Sequence, residues 1–451
     1  MRNQKLVTVV LAIFTLCHVT LYAQNEKLQQ QVDKYLSAYE QMNLFSGVVL
    51  IANHGNVQVC KGYGEANCSF DIRNIPNTKF RIGSLTKAFT AIAILQLVEQ
   101  GKLTLDDKLS SFLSDYPRGD EITVRNLLTH TSGISNHTDF DDFENDRRVY
   151  PYTLIQTINT FKNKPLNSNP GEKSEYSNSN YILLGFILEK VSQMKYEDFV
   201  QQFILDPLDM KNTGYERPEK VIKQFASGYV LRNNELQKAQ YRNMANAHAS
   251  GALYSTVNDL YLLDRALYNN SLLSEKSRKL MATPYKGNLT CGWGVAEVFD
   301  HAMIGLMGEI DGYRANISRF LSDDICIIIL SNIENTPLNQ INLDLIAMTF
   351  GEHFELPEVA KIMSLPDTVL QSYAGNYELK PGFNFRIVNS NGRCFCQPTG
   401  QPKLELLAIS ENEFMVIGVP AHIAFEFNSQ HEVEKLILKQ GGREIPALKV
   451  K

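Results

Sequence analysis

Apolar and polar positions follow two rhythms along this chain. From Asn25 to Asn43 apolar residues recur at helical spacing, which predicts an amphipathic helix. Ser46 to Ala52 and Val57 to Gly64 predict strands around the turn His54-Gly55-Asn56. Thr86 to Gln100 is a strong helical pattern stopped by Gly101, and Glu121 to Leu128, Tyr181 to Val191 and Ser255 to Leu267 predict further helical stretches. Trp293 to Val298 and Asp324 to Ser331 predict strands, the second carrying the unbroken run Ile325-Cys326-Ile327-Ile328-Ile329-Leu330. Strands fall early and late around a helix-rich middle. That order predicts an α+β fold with one sheet built from both ends of the domain and covered by helices.

After Phe350 the texture changes. Pro357 and Pro366 frame a linker, and from Tyr373 short alternating stretches dominate: Phe383 to Val388, Lys403 to Ile409, Glu413 to Val419, Ile423 to Phe427 and Lys435 to Leu438. Turn residues separate them, which predicts a small all-β barrel or sandwich. At the other end, Arg2 and Lys5 precede the uncharged run Leu6 to Leu16, and Leu21-Tyr22-Ala23 ends in a small residue. This is the order of a secretory signal peptide, too short to span a bilayer comfortably. The expected division is a leader over 1–23, a main domain over 24–350, a linker over 351–365 and a barrel over 366–451, exported to a bacterial periplasm or secreted. The mature chain is expected to lack a transmembrane span.

Composition narrows the class. The chain has 451 residues, 44% hydrophobic and 21% charged, with a net charge of −5. A wholly disordered chain, a collagen and a polytopic membrane protein are excluded, and nothing basic points to nucleic acid. Seven cysteines, at 17, 60, 68, 291, 326, 394 and 396, are too sparse for a disulfide scaffold. Cys60 and Cys68 are placed for a bridge that nothing requires, and Cys394 and Cys396 share one strand face. No metal-ligand spacing occurs among cysteines and histidines, so neither cofactor nor metal is expected.

Chemistry concentrates at Ser84-Leu85-Thr86-Lys87, where the Gly83 turn enters an apolar helix. Serine and lysine three residues apart share a helix face, putting an amine beside a hydroxyl. A serine hydroxyl needs such a base to become nucleophilic, and a lysine serves when it is held neutral. Ser192 to Lys195 repeats the spacing inside a helix without that context. The second piece is Tyr176-Ser177-Asn178, in a polar loop before an apolar helix: tyrosine can relay a proton and asparagine can bind a substrate amide. Tyr241-Arg242-Asn243 and Tyr268-Asn269-Asn270 match the same short pattern but lack the loop setting.

Phe80-Arg-Ile-Gly-Ser-Leu-Thr-Lys-Ala-Phe-Thr90 resembles the nucleophile segment of the class C β-lactamase-like and penicillin-binding-protein-like serine hydrolases, which include D-alanyl-D-alanine carboxypeptidases, D-aminopeptidases and some esterases. Gly101-Lys-Leu-Thr-Leu-Asp-Asp107, Leu127-Leu-Thr-His-Thr-Ser-Gly133, Tyr176-Ser-Asn178, Gly251-Ala-Leu-Tyr-Ser-Thr256 and Ile328-Ile-Leu-Ser-Asn332 follow in the family's order. The resemblance covers roughly residues 40 to 350. It implies an antiparallel sheet with flanking helices and a helical lobe, and an acyl-enzyme on Ser84. Lys87 and Tyr176 would share proton transfer, and Asn178 would orient substrate. Tyr373-Ala-Gly-Asn-Tyr-Glu-Leu379 and Gln397-Pro-Thr-Gly-Gln-Pro402 resemble the lipocalin-like barrel appended to some members.

One motif departs from the family. Its Lys/His-x-Gly strand corresponds to Gly305-Leu-Met-Gly-Glu-Ile-Asp-Gly-Tyr313, with Leu306 in the cationic position. Gly308 still admits close backbone approach, and the Glu309 N–H is expected to complete an oxyanion hole with that of Ser84. Leucine cannot attract a carboxylate, so neutral esters or amides are expected over β-lactams and peptides ending in D-alanine. His301 is no substitute, because strand parity puts 301 and 306 on opposite faces. Asp106 and Asp107 read as solvated or capping, His130 as a structural hydrogen-bonder, and Trp293 as core or cleft wall.

The resulting expectation is a serine hydrolase of esters or amides, with D-amino-acid peptides among the candidates and a small molecule or peptide as substrate. A true β-lactamase or D-alanyl-D-alanine carboxypeptidase is one alternative, and a non-catalytic binding protein on the same fold is the other. The barrel is expected to shape the cleft entrance or to mediate homo-oligomerisation.

Overall fold

The computed structural model describes residues 25–143, 147–232, 234–390, 392–419 and 421–450. The expected leader over 1–23 lies outside the described residues.

The first and last strands of the main domain meet at its centre. Gly47–Asn53 pairs antiparallel with Ile325–Ser331 in the register Val48↔Leu330 and Leu50↔Ile328. They form the middle of a six-stranded sheet, in the order Gly294–Val298, His301–Ile310, Tyr313–Phe320, Ile325–Ser331, Gly47–Asn53, Asn56–Tyr63. Period-2 alternation divides their side chains between two cores. Val48, Leu50, Cys326, Ile328 and Leu330 face one apolar cluster with the helix Thr86–Glu99. Val49, Ile51, Ile325, Ile327 and Ile329 face another, with Tyr35 and Leu36 of helix 25–41 and Ile341 and Leu345 of Leu338–Phe350. A sheet buried on both faces accounts for unbroken rather than alternating apolar runs.

The helix Thr86–Glu99 is buried nearly all round, from Thr86 to Leu95 without a break. It packs against Asn178–Ser192, whose Tyr181 to Leu184 are fully buried. Three helix starts differ from expectation for a local reason. Val124–Leu128 begins where Thr123 and Asn126 cap each other reciprocally, later than Glu121. Ser255 ends a short strand, Leu253–Ser255, and the helix Val257–Ala266 begins after Thr256, which accepts from the Asp259 N–H. The third start, at Asn178 rather than Tyr181, shapes the site described below.

Residues 352–366 carry neither helix nor strand. Their Ile362 packs in the second apolar cluster and Leu365 in a third, inside the barrel. Eight antiparallel strands from Gly375 to Val450 close that barrel, the last pairing with the first through Asn376↔Val450. Inward positions Tyr377, Phe385, Leu406, Phe414, Phe425 and Leu436 fill it. Tyr373 stacks on Phe425 with ring centroids 4.3 Å apart. Cys394 and Cys396 both point into this core, and all six cysteines of the described residues are free.

Candidate active site

The site starts from a turn that needs glycine. Gly83 has φ +49°, a left-handed value that disfavours a side chain. A Cβ there would lie 2.9 Å from the Glu309 backbone nitrogen. The turn Gly83–Leu85 leads directly into the helix Thr86–Glu99, which carries Lys87 in its first turn. Ser84 Oγ and Lys87 Nζ are 2.9 Å apart. Lys87 Nζ also lies 2.8 Å from Asn178 Oδ1 and 2.8 Å from the Ser250 carbonyl.

Those three neighbours bear on the protonation state. Lys87 is fully buried, and burial holds its amine well below the ordinary lysine range. Asn178 Oδ1 and the Ser250 carbonyl only accept, so a neutral amine donates to both and keeps its lone pair for Ser84. Lys87 Nζ further sits over the rings of Tyr176 at 4.9 Å and Tyr181 at 5.6 Å.

Tyr176 reaches Ser84 from the other side, its hydroxyl 2.7 Å from Ser84 Oγ and 3.2 Å from Asn178 Oδ1. The residue is 42% exposed, so it forms part of the cleft rim. Crowding around the hydroxyl pushes its pKa up to about 12, with the Ser84 hydrogen bond acting in the opposite sense and Glu309 adding to the rise. His130 supports this residue from behind. Its ring stacks on Tyr176 at 4.7 Å, and its Nδ1 accepts the Ser177 N–H at 3.1 Å. Burial lowers its pKa to about 3, consistent with a neutral acceptor. Asn178 is the first residue of its helix, not a loop residue as expected, and that fixes its backbone. Its Nδ2 donates to Asn136 Oδ1 and Thr138 Oγ1, each at 3.2 Å, which leaves Oδ1 turned to Lys87.

The facing wall is the strand His301–Ile310. A Cβ on Gly308 would stand 1.9 Å from the Ile82 carbonyl oxygen, so only glycine lets this strand lie against the serine turn. Asp311 and Gly312 form the two-residue hairpin loop between Ile310 and Tyr313. Ile310/Tyr313 is therefore a hydrogen-bonded pair and Glu309/Arg314 the next, non-hydrogen-bonded one. The Glu309 N–H consequently points away from its sheet partner, toward Gly83 and Ser84. The Ser84 N–H has no acceptor among the described residues. Two free N–H groups beside a hydroxyl that can pass its proton to an amine form an arrangement suited to acyl transfer.

The family description Beta-lactamase matches residues 28–349. The chain belongs to the beta-lactamase family. It is 29% identical over 436 residues to "Penicillin-binding protein 4*" of Bacillus subtilis (strain 168), covering 90% of this chain and 95% of that protein. It resembles the octameric penicillin-binding protein homologue from Pyrococcus abyssi, with 25% identity, a TM-score of 0.66 and coverage of 94% of this chain and 99% of that one. It also resembles a D-stereospecific amidohydrolase from Streptomyces sp., with 25% identity, a TM-score of 0.57 and coverage of 68% and 94%.

Other expected residues of this beta-lactamase-family chain fall outside the constellation. Leu306 packs against the core of the first apolar cluster. His301 is at the opposite end of the same strand, its Nδ1 3.0 Å from Asp323 Oδ1 and its ring stacked 3.9 Å from that of Phe350. Asp107 accepts from the Thr104 N–H and hydroxyl, Asp106 is solvated, and Trp293 is buried in the core. Among the described residues no cluster of metal-ligating side chains occurs, and no helix is long and apolar enough to cross a membrane.

The cleft next to Ser84 is a cavity of about 260 Å³ whose lining includes Ser84, Asn178, Phe143, Arg242, Ser250 and Glu309. Sequence reasoning missed Phe143, Arg242 and Ser250. Arg242 sits in the middle of the Tyr-x-Asn match at 241–243, which lacks the loop-then-helix setting of Tyr176; its place in the cavity depends on Asp311, which binds it from the hairpin.

Proposed function

We propose that this chain is an exported serine hydrolase that cleaves an ester or amide through an acyl-enzyme on Ser84. The observation that carries the reading is the 2.9 Å contact between Ser84 Oγ and a buried Lys87 amine held below its ordinary pKa. In this reading Lys87 takes the Ser84 proton as Oγ attacks the substrate carbonyl. The N–H groups of Ser84 and Glu309 hold the developing oxyanion, Tyr176 passes a proton to the leaving group, and Asn178 orients substrate. Water then attacks the acyl-enzyme and regenerates the hydroxyl.

Leu306 is uncharged and half-buried against the first apolar cluster, which favours substrates without a carboxylate on the strand side of the cleft. Similarity to a D-stereospecific amidohydrolase favours D-amino-acid amides or peptides among them. The positive, apolar, small-residue order at the N-terminus supports export. Similarity over 94% of the chain to an octameric homologue supports self-association involving the barrel.

Fluorophosphonate labelling tests the chemistry: the wild-type chain is labelled and Ser84→Ala is not. Absence of label on both would favour a non-catalytic binding protein, the reading that Leu306 supports. Nitrocefin turnover as fast as that of a simple aryl ester would favour a true β-lactamase.

A further inference from the structure

We propose that Arg242 is a specificity-determining residue that reads an anionic group, a carboxylate above all, on the acyl part of the substrate. The proposal rests on the hydrolase reading for its setting and concerns the cavity beside Ser84, whose lining does not include Leu306.

Arg242 and Ser84 line the same cavity. The Arg242 side chain is only 16% exposed, and two contacts fix its plane. Nε binds Asp311, and the guanidinium carbon lies 5.0 Å from the centre of the Phe143 ring. Neither terminal nitrogen has an acceptor among the described residues. A guanidinium anchored through Nε presents those two nitrogens as a fork, the geometry that takes a carboxylate in two parallel hydrogen bonds.

The local charge balance points the same way. Asp311, 12% exposed, is shared between Arg242 and Arg148, whose Nη1 lies 3.1 Å from Asp311 Oδ1. Asp311 meets Arg242 at Nε, so this carboxylate leaves the two terminal nitrogens of Arg242 unoccupied. The other acid of this wall, Glu309, does not occupy them either: its side chain is 73% exposed and bound to Arg314 at 2.8 Å. His137, which also lines the cavity, is held neutral, its pKa lowered to about 3 chiefly by burial, with the Arg147 and Arg242 charges contributing. Lys87 is committed to the serine. Arg242 is thus the arginine among the described residues that line the cavity, and a bound anion repays the desolvation that the arginine has already undergone.

The position also identifies the substrate portion. Asn178, His137, Thr138 and Phe143 line the cavity together with Arg242, whereas Leu306 does not. An acyl chain with a few methylene groups and a terminal carboxylate fits this lining: apolar contact with Phe143 and Ile310, charge on Arg242. The missing cation at Leu306 and the arginine in the cavity together predict discrimination by side, with anions disfavoured on the leaving group and favoured on the acyl group.

Two aryl esters test this directly. 4-Nitrophenyl butyrate and mono-4-nitrophenyl glutarate differ by a carboxylate at the end of the acyl chain. With rates corrected for those of Ser84→Ala, the wild-type chain should favour the glutarate in kcat/KM by about 10- to 100-fold, the scale of a hydrogen-bonded charge contact. Arg242→Gln should bring the ratio near one, and Arg242→Lys should retain part of it. A purely structural role for Arg242 lowers both rates together and leaves the ratio unchanged. That result, or a wild-type ratio near one, overturns the proposal. If neither ester turns over and Ser84 takes no fluorophosphonate, the hydrolase reading fails, and recognition is read from binding instead. Monomethyl glutarate titrated calorimetrically into the wild-type chain should bind at least about tenfold more tightly than into Arg242→Gln; equal or absent binding overturns the assignment of Arg242.

Discussion

On the helix side of the cleft, Ser84, Lys87, Tyr176 and Asn178 hold one another through side-chain contacts of 2.7 to 3.2 Å. On the strand side, Gly308 and Glu309 contribute backbone, and Leu306 contributes an uncharged, half-buried side chain. The helix side depends on which functional groups are present. The strand side depends on a side chain being absent, because a Cβ at Gly308 would meet the Ile82 carbonyl oxygen at 1.9 Å. Substitutions on the two sides should therefore fail in different ways: loss of a group on one, intrusion of an atom on the other.

The largest expected effect is on the helix side. Ser84→Ala should lower kcat by about 10⁴-fold or more, since removal of a nucleophile forfeits the covalent route. Steady-state kinetics on an aryl ester measures it, and loss of less than tenfold would remove Ser84 from the chemistry. Lys87→Met preserves the buried volume and should cost about 10³-fold. The pH profile adds a sign. Lys87 acts as a base only when neutral, so kcat/KM should rise with pH through its lowered pKa and level off well below 10.5, the ordinary lysine value. Lys87→Met should lose that acidic limb, and persistence of the limb would assign it to another group.

Gly308→Ala probes the strand side and should lower kcat by about 10²-fold, as for loss of one oxyanion donor, with the ester KM changing less. An alanine variant as active as wild type would mean that the strand need not approach the serine turn. Leu306→Lys sharpens the contrast by supplying a cation: kcat/KM for a peptide ending in D-alanine should rise about tenfold relative to its C-terminal amide. The smallest effect belongs to the barrel. Arg393 lies 3.5 Å from Glu334, which accepts the Gly312 N–H of the hairpin at the end of the strand wall. Arg393→Ala should change kcat/KM by about threefold, the scale of a partly exposed ion pair, and no change would uncouple the barrel from the cleft.

Much of this contrast is legible in the order of the residues. The apolar runs at 47–52 and 325–330 predict the sheet centre, because a strand buried on both faces has no polar position to interrupt it. Gly83, Ser84 and Lys87 lie within one turn of chain, so their geometry is local, and helix periodicity alone puts the amine beside the hydroxyl. Tyr176 stands out among three Tyr-x-Asn matches by its setting before an apolar helix, and the fold brings its hydroxyl to Ser84. Strand parity likewise separates His301 from Leu306, since a regular strand alternates its faces whatever it packs against.

Arg242 is not legible in this way, because nothing local distinguishes it from any loop arginine. Its partner Asp311 is distant in sequence, and the ring beneath it, Phe143, comes from a third segment. The depressed basicity of Lys87 is equally out of reach: a lysine in the first turn of a helix is ordinarily solvated, and only packing by Asn178, Ser250 and Tyr181 removes the water. The local chemistry and the sheet centre are written in the chain, because a few bonds or a period of two specify them. Which charge lines the cavity and which amine loses basicity are settled only by folding. Those are properties of desolvation and long-range pairing, and they arise when distant segments close around the same atoms.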